Sequence, residues 1–308
     1  NSVRMGIYQS GKAGPVRLDM LEYPLRLGHE VFTTGHISPQ TVRALSSVLR
    51  GYTQVMKEYG VSEYRAIATT ALREAENRAY VLDQLKTQNS LVVEVLEDGE
   101  ESGLIYGELL PSPFLDGDAL LAYVGTGSVG VALCRRHEVL QTSNITLGFL
   151  KLSEILRSME DRTTRFYQVL EEYVDAYFQR LSWRLDGGAP RDLVLTGREL
   201  DTIASLCRAE EENGVFRIPR EALETLYANI KTLPARVIAE RTAIPEETAD
   251  QLLPMLAIYL RMMDFAKAPV ILSPPLHLMD ILAGQMLSPA EKTRFENQER
   301  AGALSCAR

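Results

Sequence analysis

The stretch Ala119-Leu120-Leu121-Ala122-Tyr123-Val124-Gly125-Thr126-Gly127-Ser128-Val129-Gly130-Val131-Ala132-Leu133 decides how this chain is read. Its first six residues are an apolar run of strand length, and the alternation of Val129, Val131 and Leu133 predicts a second strand. Between them lies Gly125-Thr126-Gly127-Ser128. Two glycines two apart let a backbone approach an anion and turn its N–H groups inward, a nest suited to phosphate oxygens. A dinucleotide-binding fingerprint needs a helix next and a third glycine three positions on, so the strand that follows excludes it. Spacing alone leaves a second reading open, a hairpin turn in which glycine supplies a positive φ.

The chain opens in the same style. Residues 3–9 and 15–27 alternate as antiparallel strands around the turn Ser10-Gly11-Lys12-Ala13-Gly14-Pro15. Ser38-Pro39 then starts a helix whose apolar face is Val42, Leu45, Leu49, Tyr52 and Met56, closed by Gly60. A strand over Tyr64 to Thr69, a helix from Ala71 to about Leu85, a strand from Leu91 to Leu96 and a helix from Gly99 to about Leu110 follow. Pro111-Ser112-Pro113 breaks the chain. Beyond the glycine segment come an amphipathic helix through Phe166, Val169, Leu170, Val174, Tyr177 and Leu181, and a strand over Asp192 to Thr196. Helices fill 220–265, and the strand Val270 to Ser273 precedes a last helix. The repeated opening predicts an α/β protein of two related domains, 1–113 and 114–308, around a cleft. Asn1 runs directly into a strand, so a few residues are expected upstream of it.

Composition narrows the function. In 308 residues, 45% are hydrophobic and 24% charged, which excludes disordered, collagenous and coiled-coil chains. Lys+Arg 33 against Asp+Glu 41 gives a net charge of −8, which argues against non-specific binding to duplex nucleic acid or an anionic membrane. The longest apolar stretch, Leu252 to Leu260, is far short of the ~20 residues a membrane span needs. Cys134, Cys207 and Cys306 and the four histidines show no CxxC or HxxxH spacing, so a structural zinc site is not expected and a reducing cytoplasm is.

Two further segments can carry chemistry. In Ala68-Thr69-Thr70-Ala71-Leu72-Arg73 a strand passes into a helix, which puts Arg73 among first-turn backbone donors, with a guanidinium fork suited to phosphate. The alternative is a solvated arginine paired with Glu74 or Glu76. Glu97-Asp98-Gly99-Glu100-Glu101 crowds four acids at a strand-to-helix junction. Acids in a first helical turn ordinarily complement the helix dipole, while one at a cleft rim can orient or deprotonate water for attack on phosphorus.

Together these segments resemble the exopolyphosphatase / guanosine pentaphosphate phosphohydrolase (Ppx/GppA) family over nearly the whole length. Asn1-Ser2-Val3-Arg4 is similar to the tail of the family's opening Asp-Ile-Gly-Thr-Asn-Ser motif. Leu25-Arg26-Leu27-Gly28, Gly35-His36-Ile37-Ser38, Ala68 to Ala75 with Asn77, and Gly99-Glu100-Glu101-Ser102-Gly103-Leu104-Ile105-Tyr106 follow in family order. Gly125-Thr126-Gly127-Ser128 falls on the second phosphate loop and Leu147-Gly148 on a later one. The resemblance implies an actin-like fold of the sugar-kinase/Hsp70/actin type, two ribonuclease-H-like domains around a cleft, in the family's short two-domain form. It implies hydrolysis of terminal phosphate from polyphosphate or guanosine pentaphosphate, with magnesium, in a protein that often dimerises. By position, Glu101 is similar to the water-activating carboxylate and Arg73 to a phosphate-binding arginine. Asn1, Ser2, Gly125, Gly127, Ser128 and Gly148 fall on phosphate-loop positions.

The chain departs from the pattern on one side. The second loop of the family reads Asp-x-Gly-Gly-Gly-Ser-Thr-Glu, and here Tyr123, Thr126 and Gly130 stand in place of the Asp, the middle Gly and the Glu. A later Gly-Gly-Thr becomes Gly197-Arg198-Glu199, and a Leu-Arg-Glu-Gly becomes Leu278-Met279-Asp280-Ile281. No ligand set for magnesium can therefore be assigned, since that ion usually takes one or two carboxylates besides phosphate. This motivates an alternative function, a phosphate or nucleotide sensor that has lost catalysis. A kinase on the same fold is a third reading, with a poor adenosine loop.

Overall fold

The computed structural model describes residues 2–11, 14–112, 115, 117–158, 166–181, 183, 192–197 and 199–287. The chain begins with β1 (Ser2–Gly11) and β2 (Gly14–Pro24), then α1 (Leu27–Thr34), α2 (Pro39–Glu58), β3 (Ala66–Ala68), α3 (Thr70–Glu74), α4 (Arg78–Asn89), β4 (Val93–Val95) and α5 (Asp98–Leu109). It continues with β5 (Asp118–Val124), β6 (Val129–Arg135), β7 (Glu138–Ile145), α6 (Phe149–Ser158), α7 (Phe166–Phe178), β8 (Asp192–Thr196), α8 (Leu200–Leu206), β9 (Glu210–Glu212) and β10 (Val215–Pro219). Last come α9 (Arg220–Ile230), α10 (Ala235–Thr242), α11 (Glu246–Ala266), β11 (Val270–Ser273) and α12 (Leu278–Leu287).

Seven strands form one sheet in the order β7-β6-β5-β8-β11-β10-β9. The first three are antiparallel neighbours, β8 and β11 add in parallel to β5, and β10 and β9 return antiparallel at the far edge. Three meandering strands extended by two parallel ones make the ribonuclease-H-like arrangement of the actin-like fold. The opening half repeats the beginning of that plan, with β1–β2 antiparallel and β3–β4 parallel, but hydrogen bonds do not join these pairs into one sheet.

Apolar residues on β5, β6, β8 and β11 explain why the large sheet is central. Leu120, Val129, Val131, Leu193 and Leu195 face a cluster built with α6 to α11. Leu121, Ala132, Val194 and Leu272 face the other way, onto Ile105, Tyr106 and Leu109 of α5 and Ile281 of α12. Burying each large aliphatic side chain contributes about 1.5–3 kcal/mol relative to exposure. A third cluster joins Val31, Ile37, Val42, Leu45, Leu72, Val81 and Leu85, and Phe32 packs against both this cluster and the first.

Local chemistry explains where the sequence reading fell short. The single helix expected over 71–85 is two, because Ala75 is extended at ψ 122 and the Asn77 amide is committed elsewhere. It donates to the Ile37 carbonyl at 2.8 Å and accepts from the Ile37 N–H at 3.0 Å. The strand expected to reach residue 27 stops at Pro24, and Arg26 in the left-handed region (φ 52) turns the chain into α1, which was not anticipated. Ser38 caps α2 as expected, accepting from the Thr41 N–H. The edge strands β7 and β9 were also missed, since their exposed or acidic residues carry little apolar alternation, and so was β10, a five-residue strand between β9 and β11.

Candidate active site

The turn between β5 and β6 is stitched to the start of α6. The Gly125 N–H donates to the Ser128 carbonyl at 2.9 Å, while the Leu150 and Lys151 N–H groups both reach the Thr126 carbonyl at 3.0 Å. Neither Gly125 nor Gly127 has a positive φ, so glycine is not there to supply turn geometry. What it supplies is clearance. A Cβ on Gly148 would stand 2.3 Å from the Gly125 carbonyl oxygen, and one on Gly127 would stand 2.2 Å from Thr70 Cγ2 and 2.9 Å from Phe32 Cζ. The loop of the second half therefore lies against α3 and α1 of the first half at close range.

Thr70 leads to the charged pair. Its hydroxyl accepts from Arg73 Nη2 at 3.1 Å, and Arg73 Nη1 donates to the Leu96 carbonyl at 2.6 Å. The same Nη1 stands 3.7 Å from Glu101 Oε2, with the two side chains only 8% and 7% exposed. Arg73 thus sits at the end of the five-residue α3 rather than in the first turn of a long helix. The solvated pairings weighed for it go to other residues: Glu74 pairs with Lys151 at 2.7 Å and Glu76 with His36 at 3.3 Å. The acidic segment also divides by role. Glu97 and Glu100 form a capping box at the start of α5, and Glu101 turns inward to be buried.

Tyr123 completes this cluster. Its phenol is pushed well above the usual range by burial and then by the charge of the neighbouring Glu101. The hydroxyl therefore keeps its proton at neutral pH. In the β5–β6 ladder Tyr123 stands directly opposite Gly130. A Cβ on Gly130 would meet Ser102 Oγ at 2.2 Å, Tyr106 OH at 2.9 Å and Ser102 Cβ at 3.0 Å. The two positions where the family pattern carries acids are thus cross-strand neighbours, one holding a buried phenol under the influence of the Glu101 charge, the other crowded by hydroxyl groups of α5.

These residues do not fit a magnesium ion. Among the described residues no three His, Cys, Asp or Glu side chains come together, and a phenol that retains its proton is a poor ligand for a hard cation. No step below is routed through a metal.

Of the other residues singled out, Ser128 is buried in the loop and Gly148 holds α6 against it. Ser2 opens β1 opposite Pro24, and Asn1 lies outside the described residues. The sequence reading missed Thr70, Phe32 and Tyr123 as contributors. The last was findable, because counting outward from the turn pairs residue 123 with residue 130. A separate cavity of about 390 Å³ lies between α1, α6 and α11. It is lined by both signs of charge, including His29 at 2.7 Å from Glu154, and shares none of the residues around Glu101.

Known proteins resemble this chain over most of its length. Residues 7–274 match the model of the Ppx/GppA phosphatase family. Exopolyphosphatase 1 of Mycobacterium tuberculosis is 24% identical over 259 residues, covering 82% of this chain and 75% of the relative. An exopolyphosphatase structure from Cytophaga hutchinsonii superposes with a TM-score of 0.81 at 17% identity, over 93% of this chain and 95% of that one. The Ppx/GppA family member of Aquifex aeolicus gives 0.74 at 19%, over 93% and 94%. No described helix is long and apolar enough to cross a membrane. With its family match over most of its length and the actin-like fold of those structures, the chain belongs to the Ppx/GppA phosphatase family and is of the phosphoanhydride-hydrolase type.

Proposed function

We propose that this chain releases the terminal phosphate of inorganic polyphosphate by attack of water on the last phosphorus. The observation that carries the reading is the buried Arg73–Glu101 pair, 3.7 Å apart and linked through Thr70 to the Gly125–Ser128 loop. Glu101 orients the water and takes its proton. Arg73 neutralises charge on the equatorial oxygens, and the amides of Gly125, Gly127 and Ser128, with Gly148 packed beneath, hold the phosphate. Ser2, and Asn1 before it, would serve the same end from the first lobe. Guanosine pentaphosphate presents the same anhydride and is a second substrate of the proposal.

The lobes 1–113 and 114–308 close on each other at the contact of Thr70 and Phe32 with Gly127. Substrate entry requires that contact to part. A cytoplasmic setting and a homodimer belong to the same proposal. The catalytically silent sensor remains the second reading, favoured by Tyr123 and Gly130 in place of acids.

Phosphate release from polyphosphate, measured beside calorimetric titration of the same substrate, separates the two. Hydrolysis that falls on the order of 100-fold in Glu101→Gln supports the enzyme. Wild-type turnover in that variant overturns the role of Glu101, and binding without release makes the chain a sensor.

A further inference from the structure

We infer that Lys151 is a substrate-binding residue whose ammonium Glu74 occupies until an incoming polyphosphate displaces it. The inference rests on the phosphate-binding part of the reading above and adds to it one cation and the acid that blocks it.

The pair spans the two halves of the chain. Lys151 lies in α6, three residues after Gly148, and its Nζ stands 2.7 Å from Glu74 Oε2 at the end of α3. Lys151 is fixed against the β5–β6 turn at both its ends. Its backbone N–H donates to the Thr126 carbonyl at 3.0 Å. Its ammonium lies 5.6 Å from the centre of the Phe32 ring, and Cζ of that ring is the atom 2.9 Å from the Cβ position of Gly127. One aromatic ring thus adjoins both the ammonium and the glycine turn. Helix α6 therefore carries a positive charge beside the amides proposed to hold phosphate, on the side that faces the first half.

Exposure decides which ion pair can exchange. The side chains of Lys151 and Glu74 keep 23% and 31% of their surface, against 8% and 7% for Arg73 and Glu101. A partly exposed pair is screened by water and adds little to stability, so little opposes its parting. A terminal phosphate carries more charge than a carboxylate and three acceptor oxygens, which makes it the stronger partner for an ammonium. The neighbouring acids are engaged elsewhere: Glu76 stands 3.3 Å from His36, and Glu154, one turn along α6, is buried 3.2 Å from Arg157 and 2.7 Å from His29. The Lys151–Glu74 pair also ties α6 to α3 beside the contact of Thr70 and Phe32 with Gly127. Exchange of carboxylate for phosphate releases that tie, so binding and the parting of the halves become one event.

The test is a calorimetric titration of the full chain with inorganic tripolyphosphate. Lys151→Met should weaken binding about tenfold or more, while Lys151→Arg keeps the charge and most of the affinity. Glu74→Gln should tighten binding about two- to fivefold by releasing the lysine. Placed in Lys151→Met, the same change should lose most of that gain, because no ammonium remains to be released. General repulsion between Glu74 and the polyanion would give an equal gain in both backgrounds, and that result overturns the inference. Wild-type affinity in Lys151→Met overturns it as well, with Lys151→Gln deciding if the first variant fails to unfold cooperatively on heating. Binding that depends on Lys151 without release of phosphate sinks the hydrolytic reading alone. A chain that binds no tripolyphosphate sinks both.

Discussion

The hairpins β1–β2 and β5–β6 follow one pattern, strand, glycine-containing turn, antiparallel return, yet they live in different surroundings. β5 and β6 lie inside a seven-stranded sheet, covered by helices on both faces, with Leu120, Leu121, Ala122 and Val129 almost wholly buried. β2 has only β1 as a ladder partner and leaves Val16, Leu18, Met20 and Tyr23 exposed. What positions the first hairpin is side-chain docking, with Tyr8 donating to Asp280 of α12 at 2.7 Å and Tyr52 of α2 donating to the Val3 carbonyl at 2.9 Å. The turn that lies against Thr70 is therefore carried by strands buried on both faces, while the strand bearing Ser2 belongs to a lightly covered two-stranded ribbon. The proposed role of that turn in holding phosphate requires its amides to be fixed to within a fraction of an ångström, which burial on both faces of β5 and β6 favours.

The contrast can be broken by mutation. Leu121→Ala in the central hairpin should destabilise the protein by about 2–5 kcal/mol, read by chemical denaturation. Gly127→Ala, aimed at the contact between the halves, should cost about 1–3 kcal/mol by overpacking against Thr70 and Phe32. Adding Thr70→Ser removes the Cγ2 methyl while keeping the hydroxyl that accepts from Arg73, so it should recover part of that cost. A double mutant no better than the single would mean the clash is not with Thr70. Leu18→Ala on the outer hairpin should change stability by no more than ~0.5 kcal/mol. Equal losses in Leu121→Ala and Leu18→Ala would erase the distinction between the two hairpins.

Sequence reading went furthest where pattern and burial coincide. The strands around Gly125–Ser128, Asp192–Thr196 and Val270–Ser273 are apolar runs, and the structure places them in the large sheet. Helix α1 and the break after Glu74 were hidden because each depends on a partner distant in sequence: α1 packs against α6, and Asn77 bonds with Ile37 forty residues back. Edge strands such as Glu210–Glu212 were hidden for the opposite reason, that they bury almost nothing. At the site, residue type and helix position pointed to Arg73 and to the acidic cluster Glu97–Glu101, and only the family resemblance picked Glu101 out of that cluster. The meeting of Arg73 with Glu101 was not legible, since the 3.7 Å approach is set by how α3 and α5 pack. The glycines of the turn were read either as an anion nest or as a hairpin needing positive φ; the structure removes the second ground and shows that they supply clearance.

Gly130 carries a consequence for anyone re-engineering this protein. The volume that a glutamate would need at that position is already occupied by the Ser102 side chain and the Tyr106 hydroxyl. Reinstating the acid by a single codon change would wedge β6 away from α5 before it could offer an oxygen to any ligand. The way back runs through Ser102 and Tyr106 together with Gly130, so partial reversions should be worse proteins than either endpoint.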